Sequence, residues 1–382
     1  MAVIDGFGNL SATDWWPVRT VLLLLGALCL LATVLAFVRR APIAARIGGA
    51  VLTLALVLVN AAAAVNAHYD YFPTIGEALG EPPADEGTLA AADADHGAIP
   101  AQGQVVPFTI PPTESGLTAG QALVYVPPAW FAVPRPALPV IMLLHGSPGD
   151  PTNWTDGGAA PATADAFAAA HGGTAPVLVM PDINGSLTAD SECVDSPLGK
   201  VETYLTVDVP AAVAKQFATQ PTGKGWAVAG LSEGGSCSIM LALRHPDLFA
   251  TFGDYGGLAG PRVGETNADT ADTVTQLFAG SQQQFAAHEP STLLGTRNPA
   301  FRALGGWFEV GTGDAEPLAA IKQLAPLART AGIATCVVTI PGAGHTFDVW
   351  SGAFRSSLPW MAARFGLAPP DPSTASACQA PS

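Results

Sequence analysis

The sequence predicts an α/β fold, a mainly parallel sheet flanked by helices, preceded by a two-helix transmembrane hairpin. Three observations carry that expectation. Two uncharged apolar runs of membrane-spanning length lie within the first 70 residues. Beyond them, short apolar runs alternate with segments of helical periodicity, the pattern of a parallel sheet buried on both faces. At one junction between such a run and such a segment stands a serine between glycines, Gly230-Leu231-Ser232-Glu233-Gly234.

The hairpin comes first. Residues 20–38 (TVLLLLGALCLLATVLAFV) and 47–67 (IGGAVLTLALVLVNAAAAVNA) contain no charge. At about 1.5 Å per residue each can cross a hydrocarbon core of about 30 Å. A cleaved signal peptide is the competing reading of the first run, but the flank before it is not basic and a second span follows at once. The connection RRAPIAAR holds Arg39, Arg40 and Arg46, and short arginine-rich loops stay in the cytoplasm. Both chain ends and everything after about residue 68 are therefore expected outside the cytoplasm, although Arg19 argues for the inverted hairpin. Trp15, Trp16, Tyr69, Tyr71 and Phe72 are expected at the outer interface as aromatic anchors.

Charge and cysteine usage bear on function and compartment. The chain has 382 residues, of which 12% are charged, against about a quarter in an ordinary soluble domain. After residue 70 the formal charge is −16, which repels phosphate backbones and excludes nucleic acid as a partner. Cys29 lies inside the first span and reads as a packing residue. Cys193, Cys237, Cys336 and Cys378 remain, an even number suited to disulfides in an oxidising compartment. Three pairings are open to them.

Residues 71–103, rich in Pro, Gly and Ala, read as a linker. The catalytic domain is expected over 104–367. Its strands are expected at 105–110, 122–127, 139–146, 176–184, 225–230, 249–257, 307–313 and 334–342, and its helices at 207–219, 236–246, 315–332 and 347–366. Residues 258–305 lack strand patterning and are expected to form an excursion over the site, with its role as a lid left open. Residues 368–382 read as a flexible tail.

The chemistry centres on Ser232. An apolar strand (WAVAG) enters its G-x-S-x-G motif and a helix (SCSIMLALRHP) leaves it, the context of a nucleophile elbow. A serine hydroxyl needs a base to attack at neutral pH. His345, in PGAGHTF after the last strand, stands where the base belongs in the chain order serine, acid, histidine. The acid that orients it is expected at Asp314, directly after WFEVGTG, with Glu309, Glu316 and Asp348 as weaker candidates. The oxyanion needs N–H donors worth about 3 kcal/mol each. Glu233 follows the nucleophile and supplies one, and Ser147 is the candidate for the other because Pro148 has no N–H. His145 in that loop reads as structural.

HGSPGDPTNW, ETYLTVDVP, GLSEGGS and GHTFDVW, in this order, resemble the Putative esterase family of α/β hydrolases, which includes esterase D-like enzymes and antigen 85 mycolyltransferases. The resemblance spans about residues 104–366 and implies the α/β-hydrolase fold. By it, Ser232 corresponds to the nucleophile, His345 to the base, Asp314 to the acid, and Ser147 with Glu233 to the oxyanion donors. The family's mycolyltransferases use glutamate as the acid, so an aspartate here points toward esterases. The hairpin departs from those secreted enzymes, and the Ala-, Gly- and Pro-rich usage suits a membrane-anchored actinobacterial member. On that fold the segment carrying Cys193 leaves a strand end near the elbow, so a Cys193–Cys237 disulfide is expected to brace the nucleophile loop. A Cys336–Cys378 pair is less favoured because Cys378 is in the tail.

The function expected is an extracytoplasmic, membrane-tethered serine esterase that acts on a lipid or cell-envelope acyl ester and meets the bilayer through its N-terminal helices. The alternatives are an acyltransferase that passes the acyl chain to a sugar or lipid alcohol, and a non-catalytic envelope binding or scaffold protein. His and Cys lack metal-ligand spacing and no G-x-x-x-x-G-K-[ST] loop occurs, so neither metal nor cofactor is expected. Oligomeric state is not encoded in any feature of the sequence.

Overall fold

The computed structural model describes residues 16–69, 87–186 and 189–370, with 372, 374 and 378. It divides into two compact units, Met1–Pro83 and Ala84–Ser382.

The first unit is a pair of helices, α1 (Trp16–Val38) and α2 (Ile43–Tyr69). Within them Thr20–Val38 and Ile43–Asn66 are long and apolar enough to cross a membrane by length and composition. Leu23, Leu28, Val51 and Leu58 point outward and are exposed, while a polar seam joins the helices. The Thr33 and Thr53 hydroxyls lie 3.1 Å apart, and Asn60 Nδ2 donates to the Leu22 carbonyl at 3.2 Å. A Cβ at Gly49 would come within 2.7 Å of Thr33 Oγ1, so the small residue permits the close approach. Helix α2 starts before Ile47 because Arg46 turns back and donates from Nε to the Ala41 carbonyl at 2.7 Å. Trp15, Tyr71 and Phe72, and the side chains of Trp16 and Tyr69, lie outside the described residues.

The second unit takes in residues 87–103, whose composition reads as linker. Thr88 Oγ1 accepts from the Ala91 N–H and caps α3 (Leu89–Ala94), and Ala92 is fully buried. Gly87 N–H bonds the Val105 carbonyl at 2.9 Å. Two apolar contacts, from Leu89 and Ala92, in an alanine-rich stretch leave no periodic trace, which is why composition misses this segment.

The sheet has eight strands in the order β1-β2-β4-β3-β7-β8-β9-β10. These are β1 (Gln104–Phe108), β2 (Ala122–Val126), β3 (Val140–Leu144), β4 (Val177–Met180), β7 (Gly223–Leu231), β8 (Phe249–Tyr255), β9 (Gly305–Gly311) and β10 (Ala334–Ile340). A separate hairpin pairs β5 (Asp195–Ser196) with β6 (Gly199–Lys200). β1 and β2 run antiparallel at one edge, and β4 through β10 of the main sheet pair in parallel. Every residue of β3, β4 and β9 is buried, so both faces of the sheet are covered and the apolar runs are continuous rather than alternating. The edge strand β10 is only partly buried, and β1 tolerates Pro107 because it too lies at an edge.

Helices α4 (Ala160–Ala170), α5 (Val209–Phe217), α6 (Glu233–Arg244), α7 (Ala315–Thr330) and α8 (Phe347–Phe365) flank the sheet. Helix α6 packs on β3, β7 and β8, and α8 packs on α4 and on β7 to β9. The helical stretch ending in α5 begins earlier than the apolar periodicity predicts, at Val201, and passes through a π-turn at Tyr204–Asp208. Val209 N–H reaches the Tyr204 carbonyl five residues back, beside Pro210, which has no N–H to give.

Residues 258–305 contain short helices at Thr270–Leu277, Gln282–Ala286 and Pro290–Gly295. They are fastened to the body by polar contacts. Glu202 accepts from Arg244 Nε at 2.7 Å and lies 2.7 Å from His245 Nε2 and 3.1 Å from His288 Nε2. Asn267 N–H donates to Glu316 Oε2 at 2.8 Å, and within the excursion itself Arg262 and Glu289 form an ion pair.

Candidate active site

The elbow is built by close backbone approach. Strand β7 ends at Leu231, helix α6 begins at Glu233, and Ser232 between them has φ 53° and ψ −121°. A non-glycine residue held there costs about 1–3 kcal/mol. The glycines on either side have a steric reason. A Cβ on Gly230 would run into the backbone of Gly234, and one on Gly234 into the carbonyls of Leu144 and His145. The strain holds the Ser232 side chain at the carboxyl end of the central strands, at a helix N-terminus.

His345 and Asp314 reach Ser232 from the far side of the sheet. His345 Nε2 lies 2.9 Å from Ser232 Oγ, and its Nδ1 lies 2.6 Å from Asp314 Oδ2. Asp314 accepts at Nδ1–H, which leaves Nε2 unprotonated to accept from the serine hydroxyl. Asp314 follows β9 at the start of α7, and the two loops bond each other through Gly313 N–H to the Ala343 carbonyl at 2.8 Å. Trp350 meets the His345 ring edge to face, with centroids 4.8 Å apart.

The other carboxylates weighed as the acid are engaged elsewhere. Glu309 is buried in β9 and accepts from Trp307 Nε1 at 2.9 Å, and burial pushes its pKa up to about 7. Glu316 accepts from Asn267, and Asp348 is exposed on the first turn of α8.

The loop after β3 lies against Ser232, since a Cβ on Gly146 would stand 3.1 Å from Ser232 Cβ. Ser147 follows Gly146, and its Oγ donates to the Ala189 carbonyl at 2.9 Å. Glu233 opens α6, so its N–H has no acceptor within the helix. His145 is wholly buried: Nδ1 lies 2.8 Å from the Gly146 carbonyl, and Nε2 accepts from Ile183 N–H at 3.1 Å. Its ring thereby joins the loop after β3 to the loop after β4.

Cys193 and Cys237 are bonded, which ties the segment after β4 to the second turn of α6. Cys336 and Cys378 are bonded as well, so the tail is anchored to β10. Sequence reasoning placed the segment carrying Cys193 near the elbow but missed the side-chain contacts that residues 182–184 and 189–192 make with the site loops. Asp182 accepts from the N–H groups of Gly120, Asn184 and Gly185, and these bonds with His145 hold its carboxyl below the usual range despite burial. Asn184 and Glu192 both bond the Glu233 side chain. The position of PDIN at the carboxyl end of a strand is the one signal that pointed there.

Three comparisons bear on this arrangement. The family model described as Putative esterase matches residues 119–365. An uncharacterized protein of Corynebacterium glutamicum is 35% identical over 334 residues, covering 84% of this chain and 77% of that protein. The diacylglycerol acyltransferase/mycolyltransferase Ag85A of Mycobacterium gordonae is 30% identical over 141 residues, 35% of this chain and 38% of its own length. Among solved structures, a ferulic acid esterase has the same fold, with a TM-score of 0.57 at 20% identity, covering 69% of this chain and 99% of that one.

Proposed function

The chain belongs to the Putative esterase family, and from that premise we propose that it is a serine ester hydrolase tethered to the membrane with its catalytic unit outside the cytoplasm. The observation that carries this reading is the contact series Asp314–His345–Ser232, at 2.6 Å and 2.9 Å. Ser232 Oγ attacks the ester carbonyl as His345 Nε2 takes its proton, and Asp314 stabilises the imidazolium that forms. The carbonyl oxygen becomes an oxyanion between the N–H groups of Ser147 and Glu233. His345 then returns the proton to the departing alkoxide, leaving an acyl group on Ser232. Water, activated by the same histidine, attacks this acyl-enzyme and releases the acid. Arg39, Arg40 and Arg46 between the two apolar helices favour a cytoplasmic turn and an outward catalytic unit.

Similarity to a mycolyltransferase favours a second outcome for the same intermediate, in which an envelope sugar or lipid alcohol takes the acyl group instead of water. One experiment addresses both. Intact cells carrying the full chain or Ser232→Ala are treated with a membrane-impermeant fluorophosphonate probe. Detergent extracts then receive nitrophenyl esters of graded chain length, with and without a sugar acceptor. Labelling and turnover are expected only with Ser232. Acylated sugar among the products would mark a transferase, and free acid alone a hydrolase. A folded wild-type chain that shows neither labelling nor turnover would leave the binding or scaffold role.

A further inference from the structure

The Glu233 side chain does not point to solvent as the residue after an exposed nucleophile could. It is buried, and both of its oxygens accept hydrogen bonds from one segment. Oε2 accepts from Asn184 Nδ2 at 2.8 Å, and Oε1 accepts from Glu192 N–H at 3.0 Å. Asn184 cannot turn over to suit another partner, because its Oδ1 already accepts from Ser191 N–H at 2.9 Å. The same segment reaches the loop after β3: Ile183 N–H donates to His145 Nε2 at 3.1 Å, and the Ala189 carbonyl accepts from Ser147 Oγ at 2.9 Å. Four residues beyond Glu233, on the same side of α6, Cys237 is bonded to Cys193 of that segment.

We propose that residues 182–186 and 189–193 form a strut that sets the separation between the two oxyanion donors, and that the Glu233 carboxylate is the positioning residue through which the strut holds α6. This rests on Ser147 and Glu233 being the donors. Asp190 and Glu192 stand beside Glu233, and His145 is the cation-forming group that faces it. Burial, then the Asp190 charge, pushes Glu233 up to about 7, against the bonds from Asn184 and Glu192 that favour its ionised form. The carboxylate is thus costly to bury, and what it gains is two fixed acceptors on a group whose own N–H faces the oxyanion.

The test is an exchange of polarity. In Glu233→Gln the amide nitrogen confronts either Asn184 Nδ2 or Glu192 N–H, whichever way it turns. In Asn184→Asp two carboxylates face each other. Combining Glu233→Gln with Asn184→Asp reverses the bond, so that the side chain at position 233 donates to the one at position 184. The bonds from the Ser191 and Glu192 N–H groups are kept, and so is the net charge. Full-length protein in detergent is assayed with short and long acyl nitrophenyl esters. Each single variant is expected to lose about 10- to 100-fold in kcat, equally for both chain lengths and with KM nearly unchanged, because a displaced donor acts on the transition state. The double variant is expected within about threefold of wild type. Singles that keep more than half of wild-type kcat, a loss confined to KM, or a double variant no better than the singles would overturn the strut. If the singles do not fold, the folded double variant carries the test alone: it must turn over near the wild-type rate, and a folded but slow double variant refutes the proposal. Ser232→Ala run in parallel separates the cases, since persistent turnover there would remove the nucleophile assignment rather than the strut.

Discussion

Replacing Asp314 by asparagine isolates the role of a single oxygen. In the native arrangement His345 Nδ1–H donates to Asp314 Oδ2 at 2.6 Å, which fixes the lone pair at Nε2 toward Ser232 Oγ, 2.9 Å away. An asparagine that turns its amide nitrogen to Nδ1 favours the opposite tautomer, with the proton on Nε2 and no base for the serine. Asp314 also stabilises the imidazolium, and that charge compensation disappears. A change of this kind in a Ser-His-Asp system costs about 10⁴ in kcat, which is about 5.4 kcal/mol at 1.36 kcal/mol per decade. Asp314 is mostly shielded, so water cannot readily replace the lost acceptor. The Asp314 side chain makes no capping bond to α7, so the start of that helix survives the change. The assay is kcat for a nitrophenyl ester with the rate of fluorophosphonate labelling, beside a thermal melt. A loss below tenfold with an unchanged melt would refute the reasoning, because another carboxylate would then be orienting the imidazole.

Further outcomes follow from the packing. Glu202→Ala leaves Arg244, His245 and His288 without their shared buried carboxylate and is expected to destabilise the catalytic unit by about 3–5 kcal/mol in urea titrations. The bonds from those partners overcome burial and hold the Glu202 carboxyl far below its ordinary value, so its contribution is fully present above about pH 4.5 and shrinks as pH falls further. The difference between wild type and variant should therefore narrow in acid, and a constant difference from pH 7 to pH 3 would contradict it. Cys193→Ser with Cys237→Ser opens a loop of 44 residues. Chain entropy puts the stability loss at up to about 4 kcal/mol by denaturant unfolding, and no loss would mean that the strut is held without it. Gly234→Ala forces a Cβ into backbone carbonyls and is expected to yield no probe-reactive protein, whereas Gly352→Ala, in open space within α8, should raise Tm by an amount matching about 0.5–1 kcal/mol.

The parts of the site that were legible from sequence are those fixed by backbone geometry. Gly230 and Gly234 are demanded by a strand turning directly into a helix, and that demand is local. Asp314 and His345 stand at the ends of successive parallel strands, and apolar runs locate strand ends well when both faces of the sheet are buried. What stayed hidden depends on side chains that meet across long stretches of chain. Glu202 gathers partners from α6 and from the excursion, and nothing in ETYLTVDVP announces a carboxylate shared by one arginine and two histidines. Glu233 was read for its N–H alone, because its side-chain contacts with Asn184 and Glu192 exist only once β4 lies beside β3. Tail composition weighed against Cys378 as a partner, yet one covalent bond to β10 outweighs a flexible sequence.

The two halves of the site are held by different means. Acid and base are bound to each other before they meet the serine: Thr312 N–H bonds the Ile340 carbonyl at 2.9 Å, and Gly342 N–H bonds Thr312 Oγ1 at 2.8 Å. A side chain on Gly311 would collide with the Ala343 carbonyl, so the β9 and β10 loops can only sit together. Ser232 and the loop after β3 are held on the other side, through Gly146 against Ser232 and through the contacts of Ser147 with Ala189 and of Glu233 with Asn184. The halves join where β8 meets β9: Ser232 N–H bonds the Tyr255 carbonyl at 3.1 Å, and Gly256 N–H bonds the Glu309 carbonyl at 3.0 Å. Gly256 has φ 70° and passes behind the Asp314–His345 pair, so the placement of that pair relative to Ser232 is set by backbone bonds across β8 and β9.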